Sequence, residues 1–171
     1  MSEPRQLHCY EYVTAPYDAV RQTLSRDALG IFQRATASAT ARAHELASTL
    51  RVSLGALEIG AEVKIVVRGL HESVSALGDQ RTELELTWKA ASAAGLFPSM
   101  EATLTVYSLS PHETQIELHG RYRPPLGAVG HALDAMVGHR LAEASVLRFV
   151  QDLAARLGSE LGGATAAAAT R

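Results

Sequence analysis

Cys9 is the only cysteine in the chain, which excludes an intrachain disulfide and a thiolate metal cluster. A lone cysteine in an alternating apolar strand is expected as a small buried hydrophobe. Lysine is almost as scarce, with Lys64 and Lys89 the two examples. The formal net charge of -2 leaves no basic footprint for nucleic acid or an anionic membrane. No apolar run approaches the length of a membrane helix, and the opening MSEPRQLHCYEY lacks a positive region followed by an apolar core. A cytoplasmic location is therefore the default expectation. The histidines are dispersed, without His-X-X-X-His or His-Glu-X-X-His spacing. His131 and His139 sit two helical turns apart, too far to share an ion, so no metal site is expected. Gly-X-Ser-X-Gly, P-loop and Gly-X-Gly-X-X-Gly motifs are also missing, and no cofactor is expected.

What remains is an ordinary globular composition, with 47% hydrophobic and 20% charged residues. At 171 residues the chain suits one domain with a proper core. Arg5 to Val13 reads as a first strand, with Leu7, Cys9, Glu11 and Val13 on one side and Gln6, His8, Tyr10 and Tyr12 on the other. Thr14 is placed to cap the following helix, with Pro16 in its first turn and Asp18 favourable to its positive end. The apolar pattern from Ala19 to Ala35 is interrupted, which predicts two short helices with a break near Ser25 or Gly30.

From Leu46 the period changes to two. Leu50, Val52 and Leu54 alternate with polar residues, as do Ala61, Val63, Ile65 and Val67. After a turn at Leu77-Gly78-Asp79 the pattern continues through Leu84, Leu86 and Trp88, then Met100, Ala102, Leu104 and Val106, then Ile116, Leu118 and Gly120. Such alternation predicts an antiparallel meander with one wet face and one covered face. Glu83, Glu85, Glu101 and Glu117 share the wet face and read as solvated surface. Pro124-Pro125 ends the last strand, and one helix from Leu126 to Leu157 would run about 48 Å, with Gly158 as its C-cap.

Two short motifs stand out in this order: Tyr12-Val13-Thr14-Ala15-Pro16 with Asp18-Ala19-Val20, and Tyr122-Arg123-Pro124-Pro125-Leu126-Gly127 entering the terminal helix. With the order of elements, they resemble the START/Bet v 1-like superfamily, also called SRPBCC or polyketide cyclase/dehydrase-like proteins. The resemblance implies an α+β helix-grip fold. Its curved antiparallel sheet of six or seven strands wraps around a long C-terminal helix, with two short helices after the first strand. Six strands are counted here; a seventh would lie at Ser92 to Phe97 or near Ser73. A single domain over residues 1–158 and a disordered Ala/Gly-rich tail over 159–171 follow. The resemblance also implies an apolar cavity between sheet and helix, where such proteins bind lipids, hormones or polyketides. A minority are cyclases or aromatases. The superfamily has no shared catalytic motif, so no residue is carried over as catalytic.

One face of the terminal helix carries Leu126, Val129, Leu133, Val137, Leu141, Ala144 and Leu147, with Arg140 near its centre. Arg140 is either an anchor for a carboxylate, phosphate or enol oxygen, a structural ion pair with Glu11 or Glu143, or an arginine snorkelling at the mouth. Trp88, Tyr122, Leu104, Leu133 and Val137 are the expected cavity wall. His71 follows the inward phase of its strand just where the alternation fails, and is either a cavity base or a strand-end histidine. The main functional expectation is binding of a hydrophobic small molecule. The alternatives are a cyclase, aromatase or dehydratase using Arg140, Glu11 or His71, and a protein-interaction module. Val146, Phe149, Val150, Leu153 and Leu157 form a second helix face. It implies a bend near Gly138, packing on the two short helices, or a homodimer through the C-terminal helix.

Overall fold

Alternation at period two becomes sheet wherever the strand is long enough for the pattern to outlast helical alternatives. The computed structural model describes residues 5–54, 63–75, 78–90, 99–123 and 133–168. In chain order the elements are β1 (Arg5–Val13), α1 (Tyr17–Leu54), β2 (Val63–Val74), β3 (Gln80–Ala90), β4 (Ser99–Ser110), β5 (Glu113–Arg123) and α2 (Leu133–Ala168). All five strands form one sheet in the order β1-β5-β4-β3-β2, with every neighbouring pair antiparallel. The run from β2 to β5 is the expected meander. β1 and β2 are the two edges, and α1 carries the chain from one to the other.

Among the described residues the sheet has five strands, fewer than the six or seven expected. Leu50, Val52 and Leu54 belong to α1 and not to a strand. Leu46, Leu50 and Leu54 also recur every four residues, and the Ala-rich stretch before them is a strong helix former. Five residues of alternation cannot resist that context. Ser73 lies inside β2, and Ser92 to Phe97 falls outside the described residues.

The predicted break in the first helical region is at Asp27, whose φ of -145° and ψ of 43° are non-helical. Its carboxylate Oδ1 accepts the Gly30 N–H at 3.1 Å, which is how an N-cap restarts a helix. A Cβ on Gly30 would sit 2.4 Å from that oxygen, so the cap requires the missing side chain. The second piece of α1 is long, not short as expected. At the start of α1 the Pro16 carbonyl accepts from Ala19 and Val20 at 3.1 and 3.2 Å, so Pro16 holds the cap position instead of Thr14.

At the other end of the chain, α2 passes through Gly158 and continues to Ala168. The expected C-cap at Gly158 is corrected on this point, and residues up to Ala168 are helical. Alanine favours helix strongly, Leu161 packs against the core, and Glu160 pairs with Arg34 of α1 at 3.4 Å. The predicted helix start at Leu126 lies outside the described residues.

Both helices cover one face of the sheet. Val20, Leu24, Ile31 and Phe32 from α1 meet Val146, Phe149, Val150, Leu153 and Leu157 from α2, all buried. The Phe149 ring lies 6.0 Å from Phe32 and 4.9 Å from Trp88 of β3, joining the three layers. Of the three fates open to that helix face, packing on α1 is the one realised. That face is covered within the chain. Among the described residues no helix is long and apolar enough to cross a membrane.

Truncating Phe149→Ala should cost about 3–5 kcal/mol, the usual range for a buried phenylalanine. Asp27→Ala removes only a cap and should cost about 1 kcal/mol. Urea denaturation of the two variants checks the ranking.

Candidate functional site

The register places the inward side chains in rows across the sheet. One row runs Trp88, Met100, Tyr122, Arg5; the next Leu86, Ala102, Gly120, Leu7; the third Leu84, Leu104, Leu118, Cys9. The middle row is thin, because Ala102 and Gly120 offer almost no side chain. Met100 lies over the gap, with its sulfur 2.8 Å from where a Gly120 Cβ would stand. A methionine is flexible and polarizable, so this lining can move where a branched side chain could not.

Polar groups border the same region. Trp88 is 4% exposed, and its indole Nε1 is buried with no hydrogen-bond partner among the described residues. A buried donor left unpaired carries a desolvation cost of about 1–3 kcal/mol. Tyr122 is buried in the same row, on the far side of Met100. Burial raises the Tyr122 hydroxyl pKa, the hydrogen-bonded Arg5 guanidinium opposes that, and the Glu143 carboxylate adds to it, leaving the value raised. On β1, Glu11 keeps the inward phase, half-buried, opposite Ile116. Burial, then the nearby Glu11 charge, pushes the Cys9 thiol up to about 12, so at neutral pH it is a protonated apolar group.

Trp88, Tyr122 and Leu104 thus sit on the inner face as expected. His71 does not. Arg68 is an extra residue in β2 between Val67 and Gly69, and this bulge reverses the phase of every side chain after it. His71 is consequently exposed on the outer face opposite Glu83, and Glu72 turns inward to bind Arg21 of α1 at 2.9 Å. Glu11 and His71 lie on opposite sides of the sheet and cannot act on one substrate atom. Leu133, Val137 and Arg140 have their backbone in α2, and their side chains fall outside the described residues, as does any Arg140–Glu11 contact.

The outer face has features of its own. An open recess of about 500 Å³ lies there, over the back of the thin row, lined among others by Gln6, Arg68, Glu101, Thr103, His119 and Arg121. It is on the opposite side of the sheet from the implied cavity. Near it, His8 of β1 stands directly opposite His119 of β5, with ring centroids 4.0 Å apart. The Nε2 atoms of both approach Glu117 Oε1, at 2.6 Å for His8 and 3.1 Å for His119. The Tyr107 hydroxyl donates to the other carboxylate oxygen at 3.3 Å. Partial burial opposes ionisation of Glu117, but the hydrogen bonds and charge of the two histidines outweigh it and lower its pKa. Strand alternation put all three residues on the wet face. The neighbour of β1 in the sheet is what brings them together, and local spacing carries no signal of that.

No family model matches the chain, and no curated protein matches it in sequence. Its similarity is to solved structures. TTHA0849 from Thermus thermophilus is 14% identical with a TM-score of 0.51, over 91% of this chain and 99% of that one. The Zhui aromatase/cyclase from Streptomyces sp. is 15% identical with a TM-score of 0.48, over 93% and 96%. A START superfamily protein from Mycobacterium smegmatis is 11% identical with a TM-score of 0.42, over 90% and 97%. What such identities share is the fold. The chain shares with TTHA0849 an α+β fold in which an antiparallel sheet is covered by a long C-terminal helix, the helix-grip arrangement.

The raised Cys9 pKa sets a pH dependence. Above the ordinary thiol value of 9.0 the unfolded chain loses its proton while the folded one keeps it. Stability from this group is complete below pH 9.0 and falls as pH rises toward about 12. The native thiol should resist alkylation at pH 8 and react on unfolding; a Cys9→Ala variant should show a shallower alkaline loss of urea stability.

Proposed function

We propose that this chain binds a hydrophobic small molecule between the inner face of the sheet and the N-terminal part of α2, where Trp88, Met100, Ala102, Gly120, Tyr122 and Leu104 form the sheet wall. The observation that carries the reading is the buried Trp88 indole N–H, which has no hydrogen-bond partner among the described residues and stands in the row next to the gap left by Ala102 and Gly120. An apolar ligand with one acceptor oxygen would satisfy that donor, and displacement of the Met100 side chain would make room for its body. The helix-grip fold supports the same placement, since it sets a long helix across the concave side of a sheet. Small-molecule sites are mostly apolar with a few placed polar groups, and this wall has that character.

The chain contains one tryptophan, so its emission reports on this place alone. Titration with anilinonaphthalene sulfonate should quench Trp88 saturably, by energy transfer to a dye bound next to it. Gly120→Val fills the gap and should weaken that binding by about tenfold, equivalent to ~1.4 kcal/mol. Native mass spectrometry of protein purified from its own host should show a co-purified small molecule. Unchanged Trp88 emission, together with a ligand-free mass spectrum, would remove this reading.

A further inference from the structure

We propose that His8, Glu117 and His119 form a binding site for a divalent transition metal on the outer face of the sheet. The site is independent of the inner one, lying across the sheet from it. The donor atoms of the three residues all lie within 4.8 Å of one another. A tetrahedral ion with bonds of about 2.0–2.1 Å holds its donors roughly 3.3 Å apart. The 2.6 and 3.1 Å separations to Glu117 Oε1 lie within about 0.7 Å of that spacing.

Three features distinguish this from a chance surface cluster. First, the histidines are a directly opposed cross-strand pair in an unbroken stretch of β1–β5 register, so the sheet itself fixes the separation of their Cβ atoms. Second, both present the same ring nitrogen, Nε2, toward one carboxylate oxygen. Third, the carboxylate is oriented from behind by Tyr107, whose ring is in turn covered by the Arg81 guanidinium at 5.4 Å. Partners of this kind, which hold a ligand in place, are a regular part of metal sites.

Two imidazoles and one carboxylate suit Zn²⁺, Co²⁺, Ni²⁺ or Cu²⁺; Ca²⁺ and Mg²⁺ prefer all-oxygen sets. The His8 and His119 side chains are 49% and 63% exposed, so an ion can enter, and solvent can fill the remaining coordination positions. Because His8 is on an edge strand and the other two are on its neighbour, the ion would tie β1 to β5. It binds the folded chain in preference to the unfolded one and so raises thermal stability.

The test is a Zn²⁺ titration of the tag-free, chelator-treated full chain by calorimetry, alongside thermal unfolding with and without Zn²⁺. One ion per chain and a raised Tm are expected. His8→Ala and His119→Ala should each take binding out of the measurable range and abolish the Tm increase, with circular dichroism unchanged. Tyr107→Phe should weaken binding about tenfold or more, as for other supporting groups around metals. His112→Ala, an exposed histidine in the β4–β5 turn, should change nothing. Co²⁺ should give visible d–d absorption that is lost in the same two variants. No saturable Zn²⁺ binding, or binding that survives both histidine substitutions, overturns the proposal.

Discussion

The antiparallel pairing of β1 with β5 joins the first strand of the chain to the last, from Arg5 opposite Tyr122 to Val13 opposite Thr114. Every feature of functional interest on that side of the sheet depends on this register. It sets Leu7 beside Gly120, which leaves the inner row thin, and it sets His8 beside His119 on the other face. A slip of one residue would move Glu11 and Cys9 outward and carry His8 into the core, exchanging the two faces wholesale. The contact closes a loop of about a hundred residues, whose entropy cost grows only slowly with length, so nine paired residues and a buried face suffice to hold it. At the turn end it is anchored by Thr114, whose buried hydroxyl donates to the Ala15 carbonyl at 2.8 Å.

The second constraint is the meeting of α1, α2 and the sheet around Phe149. Helices that covered the sheet separately would leave a seam, and the contacts of Phe149 with Phe32 and Trp88 close it. The cap at Asp27 serves the same end, by redirecting α1 so that Ile31, Phe32 and Ala35 face inward. Away from Phe149, toward Tyr122 and Gly120, the lining changes to small and movable side chains.

The two faces of the sheet divide the chemistry. Inside, the Cys9 thiol is held protonated, and Tyr122 shares Arg5 and Glu143 in its surroundings. Outside, charge is gathered, and Glu117 is held ionised between two histidines. Alternation of side chains along a strand makes this separation automatic, since neighbours in sequence answer to different solvents.

Much of this is legible in the residues alone. The long alternating runs of β3, β4 and β5 specified strands, faces and the inward positions of Trp88, Leu104 and Tyr122, because a period of two repeated over ten residues has no helical equivalent. The break in the first helix was legible in its interrupted apolar stripe, and the helix-grip order in the succession of elements. Long-range packing settled the rest. Leu50 to Leu54 took the helical state of their Ala-rich neighbours, and Gly158 failed to stop a helix that had Leu161 and Glu160 still to pack. A single extra residue, Arg68, turned His71 from the inner face to the outer one. The cluster of His8, Glu117 and His119 depends on which strand lies beside β1, and that is settled by burial and chain closure across the whole domain. Alternation tells each residue which face it occupies, but the pairing of strands far apart in sequence chooses its neighbours there.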